Sequence, residues 1–142
     1  MYFLTAPISW TPNPGQDAYK AVTVPTGFVT DFASIPRIFW SALKPDEEYA
    51  YAAVVHDYLY WDQKRTREEA DLIFKMAMED FDIGALKVGA IYRAVRHLGG
   101  ESAWNDNAKK KAQGEKRILI RFPSDPRTTW DDWKQRPGVF EP

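Results

Sequence analysis

The chain contains no cysteine. Disulfides, iron–sulfur clusters, thiolate zinc sites and cysteine nucleophiles are therefore closed to it. Histidine is nearly absent too, with only His56 and His97, so a closed tetrahedral zinc site is short of ligands. Charge of one sign is not in excess: 19 Lys+Arg stand against 20 Asp+Glu, a formal net charge of −1. No global field draws in phosphate backbones or anionic lipid, and general nucleic-acid binding loses its usual driving force. No run approaches the roughly 18 apolar residues that span a bilayer. The opening Met1-Tyr2-Phe3-Leu4-Thr5-Ala6-Pro7 lacks the basic segment and apolar stretch of a secretory signal. Gly-rich phosphate loops, dinucleotide fingerprints and zincin motifs are also missing, which leaves nucleotide-driven and redox chemistry without support.

What is present is a globular composition. Hydrophobic residues make up 44% and charged ones 27% of 142 residues, which fits one domain with one core and room for an arm. Aromatic residues reach 15%, with six Trp. That much rigid apolar surface has to pack in a core or against a partner.

Met1 to Asp17 is punctuated by Pro7, Pro12, Pro14 and Gly15, which prevent a helix and predict an extended edge and a turn. Tyr19–Val24 and Gly27–Thr30 are β-rich runs separated by Pro25-Thr26, which predict two short strands or one bent strand. A helix is expected from Asp46 to Trp61, with Asp46-Glu47-Glu48 at the positive end of its dipole. Thr66 with Glu69 forms a capping box for a second helix, whose stripe is Ala70, Ile73, Phe74, Ala77 and Phe81. The short link makes these two an antiparallel hairpin. A third helix is expected over Ala85–Leu98, presenting Val88, Ile91, Val95 and Leu98, and stopped by Gly99-Gly100. Gly89 inside it costs about 1 kcal/mol relative to Ala, which a close helix crossing would explain. Ile118–Phe122 reads as a strand. The expectation is an α+β domain over residues 1–104, a small N-terminal β element packed on a three-helix core, with residues 105–142 as an aromatic arm. Trp130, Trp133 and Phe140 in that arm each gain on the order of 2 kcal/mol by burial. The arm therefore wraps its own domain or docks, through these rings, on another chain.

Between Tyr49 and Trp61 every residue is apolar except His56 and Asp57. A carboxylate left buried without a partner costs several kcal/mol, so Asp57 must find a cation, donors or water. Two readings follow. The pair belongs to a satisfied core network, or it is a catalytic acid–base pair or metal centre. Asp31, on the loop after a predicted strand, and Asp71, on the second helix, are the carboxylates available to complete a ligand set of Asp31, His56, Asp57 and Asp71. One His with several carboxylates suits Mn²⁺, Fe²⁺ or Mg²⁺, and such a metal would make a nucleophile of water. Arg37 or Arg96 would then hold an anionic substrate group. Asp71 is also flanked by Arg67 and Lys75 at four-residue spacing, the pattern of a solvated ion-pair ladder. Ser34 lacks the Gly-x-Ser-x-Gly elbow and, before Ile35-Pro36, reads as a turn brace. His97 closes the third helix beside Arg93 and Arg96, where the dipole favours positive charge.

The runs Thr30-Asp31-Phe32-Ala33-Ser34-Ile35-Pro36-Arg37 and His56-Asp57-Tyr58-Leu59-Tyr60, then Arg67, Ala70-Asp71, Phe74, Met78, Val95-Arg96, Gly99-Gly100 and Trp104, resemble a particular family. It is an uncharacterised one of tailed bacteriophages and prophages, domain-of-unknown-function family 1353. The resemblance covers residues 24 to 104 and implies a phage origin, in the virion or the cytoplasm of the infected bacterium, but no activity. His56-Asp57 is also similar to the doublet of the metal-dependent phosphohydrolases named for a helical His-Asp pair, with Asp71 as the later aspartate. No histidine precedes the doublet here, and Asp31 would have to substitute. The expected function is a non-enzymatic phage structural or interaction protein that binds phage or host proteins through its arm. The alternative is a metal-dependent hydrolase built on the His-Asp centre.

Overall fold

A computed structural model describes residues 1–42, 48–81 and 83–142. The chain is an α+β fold in which short N-terminal strands lie against a layer of helices. Strand β1 (Tyr2–Phe3) pairs antiparallel with β4 (Val29–Thr30), Tyr2 opposite Thr30 and Phe3 opposite Val29. Strand β2 (Ile8–Trp10) pairs antiparallel with β3 (Val22–Val24), Trp10 opposite Val22. The two β-rich runs are thus separate strands with different partners. Between the ladders, Leu4 accepts from the Gly27 amide at 2.8 Å and donates to Phe28 at 3.0 Å, so one bent ribbon carries both pairs. Alternation in β3, with Val22 and Val24 buried and Thr23 exposed, turns one face to the helices.

Helix α1 (Glu48–Asp62) is the centre of the molecule. It is apolar nearly all round, the composition of a helix covered on every side, and it touches β2, β3, β4 and two later helices. The expected acidic start at Asp46 and Glu47, and the side chain of Glu48, lie outside the described residues. Helix α2 (Arg67–Glu79) begins with the predicted capping box, Thr66 accepting from the Glu69 amide and Glu69 from the Thr66 amide. Its apolar face, Ala70, Ile73, Phe74, Ala77 and Met78, is buried against α1. Phe81 lies past its end and packs edge-on against Tyr51.

Helix α3 (Ala85–His97) buries Val88, Ile91 and Val95. Leu98, expected on that face, is instead 71% exposed because the helix ends one residue earlier. Among the described residues no helix crosses at Gly89, where an added Cβ would meet the Arg93 guanidinium at 3.7 Å. The tight approach is at Gly100, where a Cβ would stand 2.0 Å from the Val95 carbonyl oxygen.

A fourth helix, α4 (Gly100–Ala112), starts immediately after that stop and runs through residue 105, where the arm was expected to begin. Its sequence is too polar for an amphipathic stripe, and tertiary contacts hold it. Trp104 meets Tyr60 edge-on at 5.2 Å, Gln63 donates to the Trp104 carbonyl, and Lys111 donates to the carbonyls of Trp61 and Asp62, capping α1. Beyond it the arm returns to its own domain. Ile118 bridges Phe28, Leu119 bridges Phe140, and Val29, Leu119 and Val139 form a second small core. These isolated bridges stand where a strand over Ile118–Phe122 was expected. Gly27 (φ +86°) makes them possible, since a Cβ there would meet the Leu119 carbonyl oxygen at 2.0 Å. Trp130, in the single turn α5 (Trp130–Trp133), packs with Trp133 and Phe140 on this second core, each half-buried. The rings of the arm thus pack on their own domain, the first of the two placements expected for them. No helix among the described residues is long and apolar enough to cross a membrane.

Candidate functional site

His56 and Asp57 are both buried, at 0% and 1% exposure, yet they face different neighbours. Successive residues on a helix point about 100° apart. His56 therefore points to α2 while Asp57 points to the end of β4.

The imidazole lies between the rings of Tyr60, 4.2 Å away centre to centre, and Phe74, 4.6 Å away. Its Nε2 stands 2.7 Å from Asp71 Oδ1 and its Nδ1 3.1 Å from Ser34 Oγ. An ionised carboxylate only accepts, so Nε2 carries the proton toward Asp71 and Nδ1 is left facing the Ser34 hydroxyl. Asp71 also accepts from the Tyr60 hydroxyl at 2.7 Å and from the Arg96 guanidinium at 2.7 Å, with Arg67 at 3.6 Å. Burial alone would raise the Asp71 pKa. The hydrogen bonds from His56, Arg96 and Tyr60 outweigh it and hold the carboxyl below its ordinary range. Burial and the same carboxylate push the Tyr60 phenol far above its ordinary value. A solvated ladder at Asp71 is ruled out by its 0% exposure, and Lys75 turns instead to Glu79.

Asp57 accepts from the Thr30 hydroxyl at 2.6 Å, and Thr30 Oγ1 in turn accepts from the Phe32 amide at 3.2 Å. Phe32 has φ +55°, an unusual conformation for a bulky residue, and this bond helps hold it. Burial raises the Asp57 pKa, with Thr30 opposing and the Asp31 charge adding to the rise. Asp31 stays at the surface, its side chain 28% exposed, with Oδ1 accepting from the Ala33 amide at 3.0 Å and lying 3.9 Å from Arg117.

The structure thus brings His56 and Asp71 together and sends Asp57 and Asp31 elsewhere. Among the described residues no group of three or more His, Asp or Glu side chains is placed to hold a metal ion. The donor set fits Mn²⁺, Fe²⁺ or Mg²⁺ poorly, because both imidazole nitrogens already face partners. Of the two arginines assigned to substrate, Arg96 is engaged by Asp71 and Arg37 lies over the Trp40 ring at 5.3 Å. His97 is exposed at the end of α3. Sequence reasoning gave Ser34 too little weight and passed over Thr30 and Tyr60. The signal for Tyr60 was its position four residues after His56, on the same helix face.

The model of the family described as "Protein of unknown function (DUF1353)" matches residues 11–95. The chain belongs to this family. Ser34, His56, Asp57, Tyr60 and Asp71 all lie inside the matched segment, which ends one residue short of Arg96. The chain is also similar to "Uncharacterized protein y4jT" of Sinorhizobium fredii (strain NBRC 101917 / NGR234), 38% identical over 78 residues. That match covers 54% of this chain and 23% of the relative, so the chain spans about a quarter of that protein's length. No solved structure matches the chain.

Proposed function

We propose that this DUF1353 member is a non-enzymatic interaction protein, and that His56, Asp57, Tyr60 and Asp71 brace its core. One contrast carries the reading: the polar centre is sealed while an apolar face stands open. His56 and Asp71 have 0% exposure, and both nitrogens of one and both oxygens of the other have partners. Meanwhile Met1, Tyr2, Trp40 and Phe122 are 39–52% exposed. Met1 and Tyr2 border a cleft shared with Trp130 and Trp133 on one side and a cavity shared with Phe32 and Trp40 on the other. Contiguous apolar surface rimmed by polar groups is the signature of a binding face. The arm contributes to docking through the edges of Trp130 and Trp133 that remain open. Phe140 supports them from behind, with its ring 5.8 Å from Trp130. The partner in this reading is a phage or host protein, met in a virion or an infected cell.

The test is native sizing of the protein at its natural expression level, beside a Tyr2→Ser/Phe122→Ser variant. The reading expects wild type in an assembly well above its own 16.4 kDa and the variant alone. Wild type migrating alone refutes it.

A second reading has one specific observation in its favour. Ser34 Oγ, His56 and Asp71 stand in the order of nucleophile, base and orienting carboxylate, which unrelated hydrolases share. Ser34 is 2% exposed, so acyl transfer requires its turn to open. A fluorophosphonate adduct at Ser34 of the folded protein, absent in His56→Ala, would favour this reading over the first. The absence of an adduct in wild type removes it.

A further inference from the structure

Two consecutive residues of α1 take hold of one turn. His56 and Asp57 are buried at 0% and 1% exposure, and the hydroxyl residues that meet them, Ser34 and Thr30, at 2% and 1%. Asp57 accepts from Thr30 Oγ1 at 2.6 Å, and that oxygen accepts from the Phe32 amide at 3.2 Å. Ser34 Oγ lies 3.1 Å from His56 Nδ1, and the same hydroxyl bonds the Asp57 carboxyl. Ser34 therefore bridges a doublet whose members helix geometry points apart. Along this bridge hydrogens are scarce, because a hydroxyl has one to give. With His56 Nε2 committed to Asp71, an ionised Asp57 and a bare Nδ1 both claim the Ser34 hydrogen, and one acceptor is left short away from water. A single further proton satisfies both. Placed on Asp57, it is donated to Ser34 Oγ while the Ser34 hydrogen goes to Nδ1. Placed on Nδ1, it is donated to Ser34 Oγ while the Ser34 hydrogen goes to the carboxylate. In either arrangement the doublet is neutral as a unit. The charges around it are Asp31 and Arg117 on the Asp57 side, and on the His56 side Asp71 with Tyr60, Arg96 and Arg67 gathered on that carboxylate.

We propose that His56 and Asp57 hold one proton between them through the Ser34 hydroxyl, and that this proton latches the turn of residues 31–36 onto α1. The turn needs a latch, since Phe32 is held at φ +55°, a conformation that persists for a bulky residue only where its surroundings enforce it. Burial raises the Asp57 carboxyl above its ordinary range, with Asp31 adding to the rise and Thr30, Ser34 and Arg117 opposing it. The proton is therefore kept at low pH and lost as pH rises through the folded value. Its loss returns Ser34 to two competing acceptors and loosens the turn. Phe32 moves with it, and so does Trp40, whose indole N–H donates to the Ile35 carbonyl at 2.8 Å. The consequence for the open face rests on the interaction reading, while the latch stands without it.

The test is a pH titration of the full chain by nuclear magnetic resonance, across the range in which the fold persists. It follows the Asp57 carboxyl carbon, the His56 ring nitrogens and the exchange of the Phe32 and Ile35 amides, which bond Thr30 Oγ1 and the Phe32 carbonyl, corrected for the intrinsic rate at each pH. A shared proton makes the carbon and the nitrogens shift in one common step, and both amides should exchange at least about tenfold faster above it. Ser34→Ala removes the bridge and should divide the step in two. Asp57→Asn gives Ser34 a permanent N–H donor and keeps an acceptor for Thr30, so its corrected exchange should be flat with pH. Separate steps in wild type, flat exchange in wild type, a common step that survives Ser34→Ala, or a pH-dependent turn in Asp57→Asn overturns the latch. Should Ser34→Ala fail to fold, the comparison of wild type with Asp57→Asn decides alone. The titration is read on the isolated chain, so its failure and a monomer in native sizing are separate results.

Discussion

Two buried aspartates, fourteen residues apart, should respond unequally to the same substitution, and with opposite dependence on pH. Asp71→Asn keeps the shape but removes the charge that Arg96 meets at 2.7 Å and that Tyr60 and His56 also meet. Breaking a buried ion pair by neutralising one partner costs about 3–5 kcal/mol. Arg96 and Arg67 are 22% and 21% exposed and recover some water, which places the loss near the lower end, about 3 kcal/mol. With a urea m-value of about 2 kcal/mol/M, the midpoint falls by about 1.5 M. Asp57→Asn, by contrast, exchanges a carboxyl already biased toward its neutral form for an amide whose oxygen still accepts from Thr30. Its cost should stay under about 1 kcal/mol. The pH dependences differ in sign. Asp71 has a folded pKa below its unfolded one, so its contribution is present above the unfolded value and lost as pH falls through the folded value. Asp57 has a folded pKa above its unfolded one, so its contribution is full below the unfolded value and fades as pH rises through the folded value. Urea melts of wild type and both variants, followed by far-ultraviolet dichroism from pH 3 to 7, measure all of this. The difference between Asp57→Asn and wild type should move in favour of the variant as pH rises. Equal losses for the two variants at neutral pH would refute the assignment of Asp71 as the charged anchor and of Asp57 as the carboxyl whose ionised form burial disfavours.

Further outcomes follow from packing. Gly100→Ala places a Cβ against the Val95 carbonyl and should cost at least about 2 kcal/mol, read as a lower thermal midpoint, whereas Gly89→Ala, whose Cβ would make an ordinary contact with the Arg93 side chain, should gain about 0.5–1 kcal/mol. Leu119→Ala empties the second small core, where Leu119 is 3% exposed, and should destabilise the whole domain by about 2–4 kcal/mol. A merely tethered arm would show no change in the denaturation midpoint. Tyr60→Phe removes one donor to Asp71 and should cost about 1–2 kcal/mol while leaving the dichroism spectrum unchanged.

What the sequence disclosed depended on how local the cause was. The start of α2 was readable because Thr66 and Glu69 are three residues apart and their bonds are local. The doublet in α1 was readable as an anomaly, since polar groups among hydrocarbon need partners. Which partners it chose was not. His56 reaches Ser34 and Asp71 across 22 and 15 residues, and helix geometry alone separates it from Asp57. Helix α4 escaped because it lacks an apolar period and is fixed by Trp104 and by Lys111 on the end of α1. The inward turn of the arm was equally hidden, because Gly27 reads as an ordinary turn residue until Leu119 is seen against it.

That contact between Gly27 and Leu119 sets an order of events during synthesis. The helical hairpin can close as soon as its own residues leave the ribosome, but the Val29 amide waits for the Arg117 carbonyl and Leu119 waits for Phe140. Strands β1 and β4 are therefore secured only after residues 117–140 have emerged, and until then they present unpaired backbone to other nascent chains. Limited proteolysis of stalled ribosome complexes should find residues 1–30 cleavable until residues 117–140 emerge.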